Sequence, residues 1–306
     1  DLTDKGAVKN SIRNCLTVFQ NDPNLQGAIR YNILTERIDI VKPLWWEKPT
    51  ATLNDTDFNY LMLYLEDKYG LTSEKKIEKA ISIVADCNKY HPIRDYLNSL
   101  HIRQLRYRSA TGTDFTVGMI PEAHFCGGSE RSLQGIVFNP NIPSEECFIS
   151  PKRGEAEGIV YATKPLSYQG QLIDKFWIKF HEGKAVEWHA DVNNELLTKL
   201  ITMDEGSAYL GECALVPYDS PIRQSGLLFY NTLFDENAAC HLALGMGFAD
   251  TINDFEHKTL AECRALGVND SMIHEDFMIG SEDMDIDAVC ENGDVVPVFR
   301  HGNWAF

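Results

Sequence analysis

Between Gly6 and Asp22 the apolar residues Val8, Ile12, Cys15, Leu16 and Phe19 recur at helical spacing, and the run stops at the turn composition NDPN. The stretch AIRYNILTERIDIV predicts two short strands around a turn. A helix is predicted over NDTDFNYLMLYLEDKYG, opened by Asn54 or Asp55 and closed at Gly70. Another begins at Thr72 or Ser73 and repeats Ile77, Ile81 and Val84, and a short helix, PIRDYLNSL, comes after it. Near residue 100 the period changes from helical to alternating. RQLRYR, TDFTVGM, GIVYATKP, DKFWIKFHEGKAVEWHA and DAVCENGDVVPVFR read as strands, with EGK and ENGD marking two hairpins and NNELLTKLITMD an intervening helix. The expected fold class is α+β (mixed α/β): a small, mainly helical N-terminal unit over residues 1–100, then a β-rich mixed domain over 101–306.

Charge divides at the same place. Residues 1–100 hold 13 Lys and Arg against 14 Asp and Glu, and residues 101–306 hold 15 against 31, so nearly all of the net charge of −17 belongs to the second part. So acidic a surface repels phosphate backbones, which argues against nucleic acid as a partner. HIRQLRYR, with Arg103, Arg106 and Arg108, is the one basic stretch after the break and reads as an amphipathic strand opening a domain. Trp45 and Trp46 could stack on bases or pack in a small core, and the second reading is the plainer. No apolar run approaches the length of a membrane span and no leader pattern opens the chain, so neither membrane insertion nor export is expected. The eight cysteines are scattered without a CxxC pair, which suits reduced thiols in the cytoplasm.

Candidate chemistry lies in NDSMIHEDFMIGSEDMDID, residues 269–287. If IHEDFMIG is a strand, His274 and Asp276 face one way and Glu275 the other, so an imidazole and a carboxylate could share a metal ion. The plainer alternative is a polar strand end in water. Other stretches supply further donors: Glu145 and Glu146 in NIPSEECFISP, Glu212 in YLGECALVPYDSP and His241 in FDENAACHLALGMGF. Mixed imidazole and carboxylate sets suit hard and borderline divalent ions, though none of these stretches is specific alone.

Taken in series, LNSLHIRQLRYRSATGTDFTVGM, NIPSEE, EGIVYATKPLSYQGQLIDKFW, LGECALVPYDSPI, GLLFYNTLFDENAACHLALG, NDSMIHEDFMIGS and VFRHGNWAF resemble the catalytic part of the thermophilic aminopeptidase family over residues 96–306. These are the dinuclear metallo-aminopeptidases that include aminopeptidases T, S and II. The resemblance implies a metal-dependent hydrolase that removes the first residue of peptides with a free amino terminus, using two divalent ions, zinc or cobalt. Carried over by motif, the ligands fall on Glu146, Glu212, His241, His274 and Asp276. Glu145, beside a ligand, is the candidate general base, with Glu212 the second residue of the catalytic pair. The family often has a Tyr seven residues after the histidine of CHLALG, where this chain has Phe248. A homodimer is also implied as a partner.

Residues 1–100 resemble the region that precedes the ATPase in phage and prophage proteins of the virulence-associated E family, which look like primase-helicases. No GxxxxGK[ST] occurs, so a phosphate-loop ATPase is not expected. YLNSL fits the end of the one resemblance and the start of the other. This overlap gives two expectations: a chimera joined within residues 96–101, and the lack of the N-terminal domain that the aminopeptidases normally carry. The alternative function is a replication-associated binding fragment without ATPase activity.

Overall fold

The computed structural model describes residues 90–131, 137–138, 140 and 144–306. The helices and strands expected before residue 90, the Trp45-Trp46 pair and most of the phage-like resemblance lie outside the described residues. Contacts divide the chain into two units: residues 1–89 with 128–142, and residues 90–127 with 143–306.

The second unit opens with helix α1 (Tyr90–Ser99), strand β1 (Ile102–Arg108) and strand β2 (Asp114–Met119). The described part of the other unit contributes a short antiparallel ladder of β3 (Glu130–Arg131) and β4 (Val137–Phe138). The second unit then runs through β5 (Cys147–Ile149), β6 (Pro151–Tyr161), β7 (Leu166–Tyr168), β8 (Gln171–His181), β9 (Lys184–Val192), helix α2 (Asn194–Ile201) and β10 (Leu210–Leu215). Short helices α3 (Pro221–Gln224) and α4 (Thr232–Asp235) precede β11 (His241–Gly245), and helix α5 (Leu260–Leu266) precedes β12 (His274–Met278). Strands β13 (Asp285–Cys290), β14 (Val295–Arg300) and β15 (Asn303–Trp304) complete it.

These strands form two sheets. The larger runs β15-β14-β13-β1-β2-β6-β8-β7, with β9 also paired to β8, and the smaller runs β12-β11-β10-β5. The alternation read from RQLRYR becomes β1, whose Leu105 and Tyr107 are buried between flanking polar residues. The EGK turn joins β8 to β9 with Glu182 at φ 48° and Gly183 at φ 79°, the left-handed pair that a tight hairpin requires. Inward-facing Leu105, Phe115, Phe176, Ile178 and Phe180 of the larger sheet share one core with Ile149, Cys213, Leu242 and Phe277 of the smaller. The smaller sheet is therefore apolar on one face. Its other face is free for polar chemistry.

Helix α1 belongs to this unit. Leu97 is buried in the core, and Asn98 exchanges two hydrogen bonds with the backbone of Phe125, donating to its carbonyl at 3.1 Å and accepting its N–H at 2.7 Å. The structure thus bears out a mixed, sheet-rich fold, while the expected boundary at residue 100 falls behind a helix that packs with the strands on its C-terminal side.

Gly245 closes β11 at φ 101°, and a Cβ there would collide with the carbonyl oxygen of Ile273. Gly245→Ala combines a strained backbone with a clash against rigid backbone, each worth about 1–3 kcal/mol. Denaturant titration is expected to show a loss of about 2–6 kcal/mol for this variant.

Candidate metal centre

The polar face of the smaller sheet is set by register. Ala214 of β10 pairs with His241 of β11 and with Phe148 of β5, and Glu212 pairs with Ala243, which in turn pairs with Asp276 of β12. Directly paired residues share a face, as do residues two apart, so Phe148, Glu212, His241, His274 and Asp276 all point to the same side. Glu146 stands one position before β5 and two before Phe148. The intervening residues on this face are small, Ala214 and Ala243, which leaves room between the longer side chains. Glu275 lies on the opposite face, as the alternation predicts.

Two overlapping groups of donors result. Glu146, Glu212 and His241 form one, Glu212, His274 and Asp276 the other, and the donor atoms within each lie within 4.8 Å of one another. Glu212 belongs to both. Glu146, Glu212, His241 and Asp276 are buried, while the His274 side chain keeps 19% of its surface exposed, giving the cluster one open side.

The two imidazoles are oriented alike. His241 Nδ1 donates to the carbonyl of Ala239 at 3.1 Å and His274 Nδ1 to the carbonyl of Met246 at 2.6 Å, which turns both Nε2 atoms toward the carboxylates. His241 Nε2 lies 3.2 Å from Glu146 Oε2, and His274 Nε2 lies 3.1 Å from Glu212 Oε2 and 3.4 Å from Asp276 Oδ1. With Nδ1 carrying the hydrogen, a neutral ring offers Nε2 only as an acceptor. Glu146 Oε2 and Asp276 Oδ1 are buried without a hydrogen-bond donor, so lone pairs face lone pairs across these gaps. A proton or a cation must stand between them.

The electrostatics agree. Burial would lower both histidines, but the hydrogen bond and charge of Glu146 push His241 up to about 9, and Asp276 with Glu212 push His274 up to about 11. Burial raises Glu212 to about 7 against its hydrogen bond from His274. A carboxyl pushed up by burial beside imidazoles pushed up by carboxylates describes a site short of positive charge. Buried carboxylates and imidazoles whose free atoms converge fit a divalent metal.

The loop before β12 is braced by Asp204, whose carboxylate accepts the N–H groups of Gly206, Ser207 and Met272 and the Ser271 hydroxyl. Phe248, half-buried, lies beside the centre with its ring centroid 4.6 Å from that of His274 and 5.7 Å from that of Phe148.

The structure therefore brings together the five side chains that the sequence nominated as ligands. Glu145 is buried next to them, its backbone N–H donating to Asn237 Oδ1 at 2.6 Å, but it is in neither donor group. Sequence reasoning passed over Glu236 and Asn237, both buried beside the centre. The signal was the unbroken polar run DEN inside an otherwise apolar stretch.

Comparison with known proteins points the same way. Aminopeptidase 2 of Geobacillus stearothermophilus is 48% identical over 214 residues, covering 70% of this chain and 52% of that protein. Aminopeptidase AmpS of Bacillus subtilis is 46% identical over 217 residues, covering 71% and 52%. The chain spans about half the length of the curated relatives it matches. Wild-type AmpT from Thermus thermophilus superposes with a TM-score of 0.68 at 32% identity, over 86% of this chain and 72% of that one. The profile described as thermophilic metalloprotease (M29) matches residues 85–304, from just before α1 to β15, and so takes in every member of the donor cluster. A metalloprotease family uses a divalent metal, and this cluster offers one a fitting set of donors: the chain belongs to the thermophilic metalloprotease (M29) family.

Proposed function

We propose that this chain is a metal-dependent aminopeptidase that removes the first residue of peptides with a free amino terminus. The observation that supports it most is the pair of donor groups sharing Glu212, with orphaned buried oxygens on Glu146 and Asp276, in a chain 48% identical to an aminopeptidase over its matched part. Glu146, Glu212 and His241 would hold one divalent ion, and Glu212, His274 and Asp276 a second, zinc or cobalt. Bound there, the ions supply Lewis acidity toward a scissile carbonyl and acidify a water to a pKa near about 7.

The chain's own groups do the rest. The Nδ1 anchors on Ala239 and Met246 keep both imidazoles aimed without reorganisation. One of the ions or a nearby carboxylate would hold the free α-amine of the peptide, which would restrict attack to the first peptide bond. Glu145 is the candidate general base that takes the proton of the attacking water and passes it to the leaving amine, Glu212 acting beside it as the shared carboxylate. Its position next to Glu146 supports that role.

The test is release of the first residue from an unblocked peptide by the metal-loaded chain, set beside the same peptide acetylated at its amino terminus. Cleavage of the free peptide alone, abolished by chelation and restored by zinc or cobalt, supports the reading. Equal cleavage of both, or none from either at full metal occupancy, overturns it.

Phe248 cannot donate a hydrogen bond to a developing oxyanion, whereas a phenol could. Phe248→Tyr is expected to raise kcat with little change in KM, as for a contact made in the transition state. Steady-state kinetics check this, and an unchanged or lower kcat shows that this chain does not use the position.

The six cysteines among the described residues are thiols rather than disulfides, which supports a reducing, cytoplasmic setting, and none of the described helices is long and apolar enough to cross a membrane. A homodimer and the junction between a phage-like segment and the aminopeptidase part belong to the same proposal. The family match starts at residue 85, ahead of the expected junction at 96–101, and supports a boundary before α1.

A further inference from the structure

Asp235, Glu236 and Asn237 are three consecutive buried polar residues, 2%, 7% and 0% exposed, at the end of α4 and in the turn after it. Burying three polar side chains in succession is unfavourable unless each finds a partner. Each reaches a different element. The Asp235 carboxylate accepts the N–H groups of Phe229 at 3.0 Å and Asn231 at 3.2 Å and lies 3.7 Å from Lys164 Nζ, so it closes the loop before α4. Asn237 uses both ends of its amide. Its Oδ1 accepts the backbone N–H of Glu145 at 2.6 Å, and its Nδ2 donates to the carbonyl of Leu233 at 2.9 Å. The turn is pinned from behind by the Ser220 hydroxyl, which donates to the Asn237 carbonyl. The turn that carries Glu236 packs against β12, which carries Asp276, and Asp276 Oδ1 remains buried without a hydrogen-bond partner on the side of His274.

Glu146 stands just before β5, where the sheet ladder begins, so its backbone is steadied by the bond that holds Glu145. Asp276 is on β12, the edge strand of its sheet, against which the Glu236–Ala238 turn packs. His241 comes a few residues after the same turn. One short segment thus touches the elements that present Glu146, His241 and Asp276, and neither Glu236 nor Asn237 is among the five proposed ligands.

We propose that Glu236 and Asn237 are positioning residues of the metal centre, Asn237 fixing Glu146 through the backbone of Glu145 and Glu236 fixing Asp276 through its carboxyl. This rests on the metal-centre reading above. Partners that orient ligands typically change metal affinity by about 10–100-fold when removed. Two carboxyl groups brought together need a hydrogen between them, which the amide of Glu236→Gln can supply and an alanine cannot.

The experiment measures zinc affinity of the full chain by competition with a chromophoric chelator, alongside melting of the metal-free form, in Asn237→Ala, Glu236→Ala, Glu236→Gln and Asp235→Asn. The two alanine variants are expected to bind zinc about 10–100-fold more weakly, and Glu236→Gln to recover most of that loss. Asp235→Asn, which disturbs the same turn without facing a ligand, is expected to melt lower yet keep its zinc affinity. Zinc binding as in the unmodified chain by both alanine variants, or an equal loss in Asp235→Asn, overturns the proposal while leaving the centre in place. Failure of the unmodified chain to bind zinc or cobalt overturns the centre, and this inference with it. Should Asn237→Ala not fold, the Glu236 pair decides: equal affinities for alanine and glutamine count against positioning.

Discussion

Glu212→Gln is expected to empty both proposed metal positions at once, whereas Glu146→Gln weakens one and leaves the other. The difference comes from the sharing of Glu212 between the two donor groups. Glutamine keeps the shape of the side chain, but its amide carries no charge and presents one oxygen, so neither group retains the carboxylate it needs. Elemental analysis after loading and desalting should find about two divalent ions per unmodified chain and near none in Glu212→Gln. Any peptidase activity is expected to vanish with them. Loss of metal through misfolding would look different. Glu212 is buried, and burial pushes its carboxyl up to about 7, so without a cation its charge is a burden that glutamine relieves. The metal-free variant is therefore expected to melt no lower than the metal-free unmodified chain. Full occupancy in Glu212→Gln would sink the shared-ligand arrangement, and a metal-free form that melts much lower would make the loss one of folding.

How the site could be read from sequence at all comes down to strand periodicity. His274, Glu275 and Asp276 alternate across β12, and alternation is local, so HED alone told which two side chains share a face. Glu212 is placed beside Asp276 by register across β10, β11 and β12, which brings together residues far apart in the chain, and no short-range pattern encodes that. The family resemblance supplied those partners instead. β10 and β11 are buried on every residue, so they lack the alternation that marked β1 and the β8–β9 hairpin. Glu236 and Asn237 escaped for a related reason. A buried hydrogen bond from a distant backbone N–H to an amide oxygen leaves no periodic trace. Helix α1 was visible as a helix, but its allegiance was not, because Leu97 looks the same whichever core it enters.

The allegiance of that helix sets the outcome of a truncation. A chain that starts near residue 85 is expected to unfold in one cooperative transition and to keep the metal centre, and one that starts at residue 101 is expected to do neither. Removing α1 takes Leu97 out of the core, a change comparable to a buried Leu→Ala at about 2–5 kcal/mol. It also strips both backbone partners of Phe125, which Asn98 satisfies, at about 0.5–1.5 kcal/mol for each hydrogen bond. Two smaller losses add to these: the Arg94 contact with the Gly127 carbonyl at 3.3 Å, and the Tyr96 ring that lies 4.2 Å from that of Phe306. Their sum reaches a large share of the roughly 5–15 kcal/mol that holds an ordinary domain folded. Calorimetry and metal analysis of the two chains separate the alternatives. If the 85-start chain keeps metal and cooperativity, residues 1–84 have no part in the centre, and a boundary ahead of α1 is supported. If it loses metal while remaining folded, residues before 85 help to form the centre.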